Sequence, residues 1–364
     1  MMLRIRPQYK DLAVLLHAAR GVGPNTVVSI LEHLNKNRIE AHMFRPQALY
    51  SSDELLVNKK QFISIKKIFN EYSIDSYRLW LKSQSIHVSV QGDTAYPSQL
   101  TKLAQPPVIL YAQGVWPLPN QVALAVVGAR HCTPYGVRAT RRLIHDCCSS
   151  GVGTIVSGLM YGIDAVAHQV AVSNGTPTIA VLGYGFGGWF PSRMQKLALD
   201  IIAGGGTVVT EYAPAMLPTK GTFLERNRII AGLSDAVLVP EAAARSGTQR
   251  TVAIAAEMGI PVGAVPGPFD SEYSEGTKTF VNQGATLVSS AEDILNELGI
   301  TKVIQQHRQT EPVHEIERQL QSGPCTTDEL CLTTQLSVVQ LSFELSSLEL
   351  AGRIVRRGAQ WYRA

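Results

Sequence analysis

Val122-Ala-Leu-Ala-Val-Val127 runs into Gly128-Ala129-Arg130, and three residues later Thr133-Pro134 opens the stretch that ends at Cys148. The first six residues are aliphatic and of strand length, and a glycine turn breaks them. Thr at an N-cap accepts from the first free helical N–H groups, and Pro suits the first helical position, so a helix is expected from Pro134. Strand, glycine turn and helix start in that order point unpaired N–H groups and the positive end of a helix dipole into one concavity, which suits phosphate. Arg130 stands at its lip. Arg138, Arg141, Arg142 and His145 recur at helical spacing and share a face. Two readings stay open from this stretch: a cradle for a ligand with several phosphates, or a tight turn followed by a solvated basic face.

The same alternation continues on both sides. Apolar strands are expected at 122–127, 153–157, 178–182, 206–210, 236–239, 261–265 and 285–288, separated by amphipathic helical segments. That pattern belongs to a mostly parallel, extended Rossmann-like sheet covered on both faces, with function beyond the strands' C-terminal ends. The loops expected there are Gly128-Ala129-Arg130, Ser157-Gly158 with Gly162-Ile-Asp164, Gly183-Tyr-Gly185-Phe-Gly187-Gly188, and Pro240-Glu241 leading to Ser246-Gly247-Thr248. The last is a second candidate phosphate cradle. Between them, Lys220-Gly-Thr-Phe223-Leu-Glu-Arg226-Asn227-Arg228 joins cations to an aromatic ring, which can pair with phosphate while the ring stacks on a base. The alternative is a core Phe223 and an Arg226 or Arg228 paired with Glu225.

Residues 1–88 read as a small helical domain of the SAM or helix-hairpin-helix type, with apolar spacing in Leu12–Ala18, Val27–Leu34 and Ile63–Phe69. Gly21-Val-Gly23-Pro24 is either a phosphate-touching hairpin or a helix corner, with Lys59, Lys60, Lys66 and Lys67 as a nearby basic segment. Residues 89–300 form the sheet domain, 301–312 a polar, Gln-rich linker, and 313–364 a winged helix. Its helices are expected at Val313–Gln321, Thr327–Cys331 and Ser337–Ala351, and its wing at Arg353–Tyr362. The third helix has no Lys or Arg between Ser337 and Leu350 but holds Glu344 and Glu349, which repel phosphate. Val338, Val339, Leu341, Leu345 and Leu348 imply packing and a protein-interaction role. Arg353, Arg356 and Arg357 on the wing argue the other way.

The 364 residues are 45% hydrophobic, enough for two or three domains with a sizeable core. No apolar run approaches the roughly 20 residues of a membrane span, and Met1-Met-Leu-Arg-Ile-Arg-Pro7 has no signal-peptide core, so a cytoplasmic protein without membrane contact is expected. Five cysteines without a C-x-x-C pair fit neither a disulfide scaffold nor a zinc ribbon. A net charge of only +4 confines any nucleic-acid site to a local patch.

Tyr96-Pro97, Pro106-Pro107-Val-Ile-Leu-Tyr111, Val127-Gly128-Ala-Arg130, Ser157-Gly158-Leu-Met-Tyr-Gly162-Ile-Asp164, Ala167-His168, Ala180-Val-Leu-Gly183, Arg226-Asn-Arg-Ile-Ile-Ala-Gly-Leu-Ser234, Val239-Pro-Glu241-Ala, Ser246-Gly247-Thr248 and Val265-Pro266-Gly267 follow one another in order. Over about residues 90–300 this resembles the DprA/Smf family, the DNA-processing protein A family of natural transformation. The resemblance implies a cytoplasmic, homodimeric, single-stranded DNA-binding recombination mediator that protects incoming DNA and loads the recombinase RecA, with no catalysis, cofactor or metal. By motif it implies DNA contacts at Gly128, Ala129, Arg130, Ser157, Gly158, Lys220, Phe223, Arg226, Asn227, Arg228, Ser246, Gly247 and Thr248. The chain departs from the pattern after Trp189-Phe190-Pro191, where Met194 stands in place of the usual Asn; Arg193 and Lys196 are nearby cations.

The competing reading is a Rossmann-type nucleotide-binding enzyme. Gly183-x-Gly185-x-x-Gly188 matches a dinucleotide fingerprint and Glu211 ends the next strand, yet Trp189-Phe190-Pro191 intervenes before the helix. A phosphoribohydrolase of the lysine-decarboxylase-like type carries Pro-Gly-Gly-x-Gly-Thr-x-x-Glu. Here Thr251 stands where that glutamate would do acid–base work, and a phosphate site without its carboxylate favours binding over hydrolysis. His168 is expected to pack against the sheet.

Overall fold

The computed structural model describes residues 5–49, 56–187, 192–300, 316–317, 319–321, 323–334, 338–350 and 352–363. Two compact units result, Met1–Ile300 and Thr301–Ala364. The expected linker at 301–312, the start of the expected Val313 helix, and Gly188 with Trp189-Phe190-Pro191 lie outside the described residues.

The first unit is built on a nine-stranded sheet. Seven strands are parallel neighbours: β3 (Ala123–Val126), β4 (Thr154–Ser157), β5 (Thr178–Leu182), β6 (Thr207–Thr210), β7 (Ala236–Val239), β8 (Val262–Ala264) and β9 (Thr286–Leu287). Each falls within a segment expected from the sequence. Two more, β1 (His87–Val90) and β2 (Ile109–Gly114), extend the sheet antiparallel beside β6. The spatial order β1-β2-β6-β5-β4-β3-β7-β8-β9 shows the chain walking outward from β3 to β6 and then returning to the other side of β3. The switch point therefore lies between β3 and β7, where ligand crevices form in such sheets. The central strands are buried on both faces, as their unbroken aliphatic runs require.

Helices α5 (Pro134–Ser149) and α6 (Ile163–Ser173) pack against each other over one face, where Leu143, Ile144 and Cys147 meet Ile163, Ala167 and Ala171. Helix α7 (Ser192–Ala203) follows β5. The short helices α8 (Lys220–Glu225) and α9 (Asn227–Gly232) precede β7, and α10 (Thr248–Glu257) follows it. Helix α11 (Glu275–Asn282) then leads to β9, and α12 (Ala291–Glu297) packs beside α5.

The N-terminal region holds α1 (Lys10–Ala18), α2 (Pro24–Lys36), α3 (Lys59–Glu71) and α4 (Ile74–Ser83). Its core residues, among them Leu12, Leu16, Ile30, Leu34 and Ile65, form one cluster with Val90, Ile109 and Tyr111 of the sheet edge. His17 on α1 reaches across to Tyr111, Nδ1 to hydroxyl 3.0 Å. The expected boundary at residue 88 thus marks a change of secondary structure inside one compact unit, because β1 and β2 supply part of the helices' core. The Gly21–Pro24 corner is engaged internally: Gln61 Nε2 donates to the Gly21 carbonyl at 3.0 Å.

The second unit contains helical residues at 316–317 and 319–321, α13 (Thr327–Thr334), α14 (Val338–Leu350), and a three-stranded sheet of β10 (Cys325–Thr326), β12 (Gln360–Arg363) and β11 (Ile354–Arg357). Leu341, Leu345 and Leu348 are buried with Ile316, Leu320, Leu330, Ile354 and Trp361. That corrects one expectation, since these leucines close the unit's own core and are not a spare docking stripe. The side chains of Val338 and Val339 lie outside the described residues. On the wing, Arg356 lies over Trp361 and Arg357 over Tyr362, while Arg353 pairs with Glu317 at 2.6 Å.

Candidate nucleic-acid site

The first helix terminus at the switch point is closed from within. Thr133 caps α5, its Oγ1 accepting from Gly136 N at 3.2 Å, with Pro134 at the first position, as the sequence predicts. The carboxylate of Glu241, 3% exposed, fills the concavity: it accepts from Thr133 N at 2.8 Å and from Thr133 Oγ1 at 2.7 Å. A Cβ on Gly136 would overlap that carboxylate. Gly128 is likewise fitted to protein, since a Cβ there would stand 2.7 Å from the Glu241 carbonyl and from Ile163 Cγ1. The α5 terminus is therefore no open phosphate cradle. The protein supplies its own anion.

The second terminus is different. No side chain caps α10, whose N-cap is Gly247. The hydroxyl of Ser246 is enclosed without a hydrogen-bond partner among the described residues, and a Cβ on Gly247 would meet only Leu224 Cδ2, at 3.9 Å. Thr248 is buried, while Arg245 and Arg250 stand exposed on either side.

The α8–α9 segment joins the two loops. Thr219 caps α8, accepting from Thr222 N at 3.3 Å, and presents exposed Lys220 in the first turn. Phe223, half-buried, lies edge-on to Tyr184 with centroids 6.0 Å apart, and the Arg130 guanidinium sits 5.8 Å from its ring. Leu224 is 49% exposed beside Gly247. Arg130, Lys220, Phe223 and the 246–248 loop thus share one edge of the sheet. Arg130, Lys220, Arg245 and Arg250 have no ion-pair partner among the described residues.

Other expected contacts are spent on protein. Ser157 is buried and donates to the Val126 carbonyl at 2.6 Å. Arg226, 3% exposed, donates to the Val181 carbonyl at 2.8 Å and lies where a Cβ on Gly158 would be. Burial pulls its pKa down, opposed first by Asp164. Burial pushes the Asp164 carboxyl up, against the Arg226 charge and bonds from Ser157, Met160 and Gly158. Asn227 donates to the Gly247 carbonyl at 3.2 Å, and Arg228 pairs with Glu211. Ser157, Gly158, Arg226, Asn227 and Arg228 therefore form a framework that sets the β4 turn and the α8–α9 joint. Ala129 is buried, with its N–H donating to the Glu241 carbonyl at 2.8 Å.

The nucleotide-enzyme reading loses its parts in the same way. Gly183 and Gly185 are buried; Gly185 N donates to Met216 O at 2.9 Å, and a Cβ there would overlap the Ala213 carbonyl. The missing side chain of Gly185 admits the 213–216 loop, and that of Gly183 admits α8, where a Cβ would stand 3.0 Å from the Thr222 carbonyl. Glu211, the candidate ribose acid, is committed to Arg228. Met194 is buried in the apolar cluster under α7, and exposed Lys196 lies 4.0 Å from Asp200. His168 is buried, Nδ1 2.8 Å from Thr178 Oγ1, and burial, aided by the Arg226 charge, pushes its pKa down to about 3. Among the described residues, no cluster of ligating side chains suits a metal ion, and no helix is long and apolar enough to cross a membrane.

Residues 87–299 match the sequence profile of DNA recombination-mediator protein A, and residues 309–360 match the DprA winged helix domain. The chain belongs to the DNA recombination-mediator protein A family. It is 40% identical over 230 residues to protein Smf of Escherichia coli, covering 63% of this chain and 61% of that one. It is also 40% identical over 205 residues to DNA processing protein DprA of Streptococcus pneumoniae, covering 56% of this chain and 72% of that one. The X-ray structure of the Streptococcus pneumoniae protein superposes with a TM-score of 0.64 at 30% identity, over 80% of this chain and 99% of that one. DNA processing protein A of Helicobacter pylori, whose structure addresses that protein's single-stranded DNA binding mode, superposes with a TM-score of 0.52 at 28% identity, over 58% and 95%. Family membership thus covers both the sheet and the winged helix.

Proposed function

We propose that this chain is a non-enzymatic recombination mediator that holds single-stranded DNA along the C-terminal edge of its sheet. The observation that carries this reading is the exposed Arg130 guanidinium 5.8 Å from the half-buried Phe223 ring, with exposed Lys220 on the same short helix as that ring. Unpaired cations take phosphate without reading sequence, while an aromatic face takes an unstacked base, which a duplex does not offer. The open α10 terminus with Ser246, Gly247 and Thr248 is a second phosphate contact. The single-stranded DNA mode described for the Helicobacter pylori relative supports the ligand class. Protection of incoming DNA during natural transformation, loading of RecA, action as a homodimer and a cytoplasmic location belong to the same proposal, supported by family membership.

Against catalysis stands the fate of each candidate acid: Glu241 caps α5, Glu211 pairs with Arg228, Asp164 is buried facing Arg226, and Thr251 is no acid. The test is Arg130→Ala and Lys220→Ala. Each is expected to weaken single-strand binding at least fivefold with an unchanged melting temperature, because both side chains are exposed. Wild-type affinity in both variants would sink the assignment.

A further inference from the structure

No acidic residue occurs from Val122 to His145, although the chain as a whole is nearly balanced in charge. In the fold this acid-free stretch starts at the Arg130 lip and continues along α5. The apolar side of α5, with Leu143, Ile144 and Cys147, is buried against the sheet and α6. Arg138, Arg141 and Arg142 project from the opposite side and are exposed. Arg142 has a loose partner, Asp146 at 3.8 Å with an 87% exposed guanidinium side chain; Arg138 and Arg141 have none among the described residues. From Arg138 to His145 the helix rises about 10 Å.

We propose that this outward face of α5 is the track along which the phosphodiester backbone of the strand leaves the Arg130–Phe223 site. The inference rests on the single-strand reading above and adds the direction of exit. Charge decides between the routes. On the β8 side the segment after Pro266 carries Asp270 and Glu272 in its loop and Glu275 at the start of α11, all exposed, and among the described residues only Glu275 of these three has an ion-pair partner, Lys278 at 3.9 Å. Phosphates are repelled there. Helix α12, which packs beside α5, offers exposed Glu292 and Glu297 and so borders the track with like charge. Over α5 itself a backbone meets Arg138, Arg141 and Arg142 and one carboxylate, Asp146, which is only loosely paired with Arg142; exposed charges act on a phosphate within a screening distance of about 10 Å at moderate salt.

The experiment compares the full chain with an Arg138→Ala/Arg141→Ala/Arg142→Ala variant on two oligothymidylates, one of about 6 and one of about 20 nucleotides, across a salt series. The expected result is unchanged affinity for the short strand and at least tenfold loss for the long one. The long strand's log–log salt slope should shrink by about 2, at about 0.7 per phosphate contact. Unchanged affinity at both lengths would overturn the track and leave the face to an acidic protein partner. Equal losses at both lengths would also overturn it, because the arginines would then act on the site itself. Lys220→Ala run in parallel separates the two claims: if it leaves short-strand binding intact, the site reading fails, and the track with it.

Discussion

Two helix termini face the same edge of the sheet, and local sequence describes them alike: strand, small-residue loop, threonine, helix. The terminus of α5 holds the buried Glu241 carboxylate, bonded to the Thr133 amide and hydroxyl. The terminus of α10 has no side-chain cap and encloses a Ser246 hydroxyl with no partner among the described residues. A helix dipole and free N–H groups create a preference for an anion, but they do not say whose. At α5 the protein has answered with its own carboxylate, delivered from the end of β7. At α10 the place stays open, next to the exposed cations and ring that a nucleic acid needs.

Removing the built-in anion is the strongest way to break that comparison. Glu241→Ala should cost about 2–3 kcal/mol of stability, since it strands the Thr133 N–H and hydroxyl at a buried positive helix end. Affinity of the folded variant for a single strand should stay within about twofold, because the closed terminus takes no part in binding. Thermal melting and titration of the same preparation check both halves. An unchanged melting temperature would mean that the carboxylate is incidental and the two termini are equivalent.

Phe223→Ala sharpens the other side. If the ring stacks on a base, binding should weaken by about 1–3 kcal/mol while melting shifts little. A sharp fall in melting temperature with normal binding by the folded variant would return Phe223 to the core.

The first unit also buries two neutral histidines, His17 against β2 and His168 against β5 of the central sheet. His17 is pushed down to about 4 by burial, and His168 to about 3 by burial and then the Arg226 charge. The unfolded chain takes up these protons near pH 6.5, before the folded chain can, so acid favours unfolding. Stability should be full above about pH 6.5 and fall from there to about pH 4 for His17 and about pH 3 for His168, by about 1.4 kcal/mol per pH unit for each histidine. Melting of wild type and His168→Gln across that window is the check. A parallel decline in both would show that His168 contributes nothing.

The smallest effect should come from ending the chain after Ile300. The exposed cations of the candidate site all lie in the first unit, and the described leucines of α14 are used internally, so single-strand affinity should change by less than about threefold. A tenfold loss would show that Arg356 and Arg357 of the wing reach DNA.

The sheet was legible because its parallel strands are continuous aliphatic runs flanked by glycine, a pattern carried within each segment. Strands β1 and β2 were not, since His87–Val90 is short and mixed, and Ile109–Gly114 follows two prolines. Helix α4 was missed although Ser73 and Ser76 form a reciprocal cap at its start, because its apolar residues are diluted by Asp75, Arg78 and Lys82. At the site, exposed Arg130 and Lys220 could be read from loop position, and the Arg130–Phe223 neighbourhood follows from strand order. Ser157, Arg226 and Asn227 could not be sorted into framework and surface, since a motif keeps residues for folding and for binding alike. Nor could Glu241 be placed: only the adjacency of β3 and β7 brings it to Thr133, 108 residues away.

The central claim is that an open edge of cations and one aromatic face selects unstacked strands. The direct measurement is titration of the full chain with a single-stranded oligonucleotide and with its blunt duplex, each over a salt series. The account predicts tighter binding of the single strand at every salt concentration, with an affinity that falls linearly in log–log form at about 0.7 per phosphate engaged. Equal affinity for the duplex, or single-strand binding indifferent to salt, would contradict it.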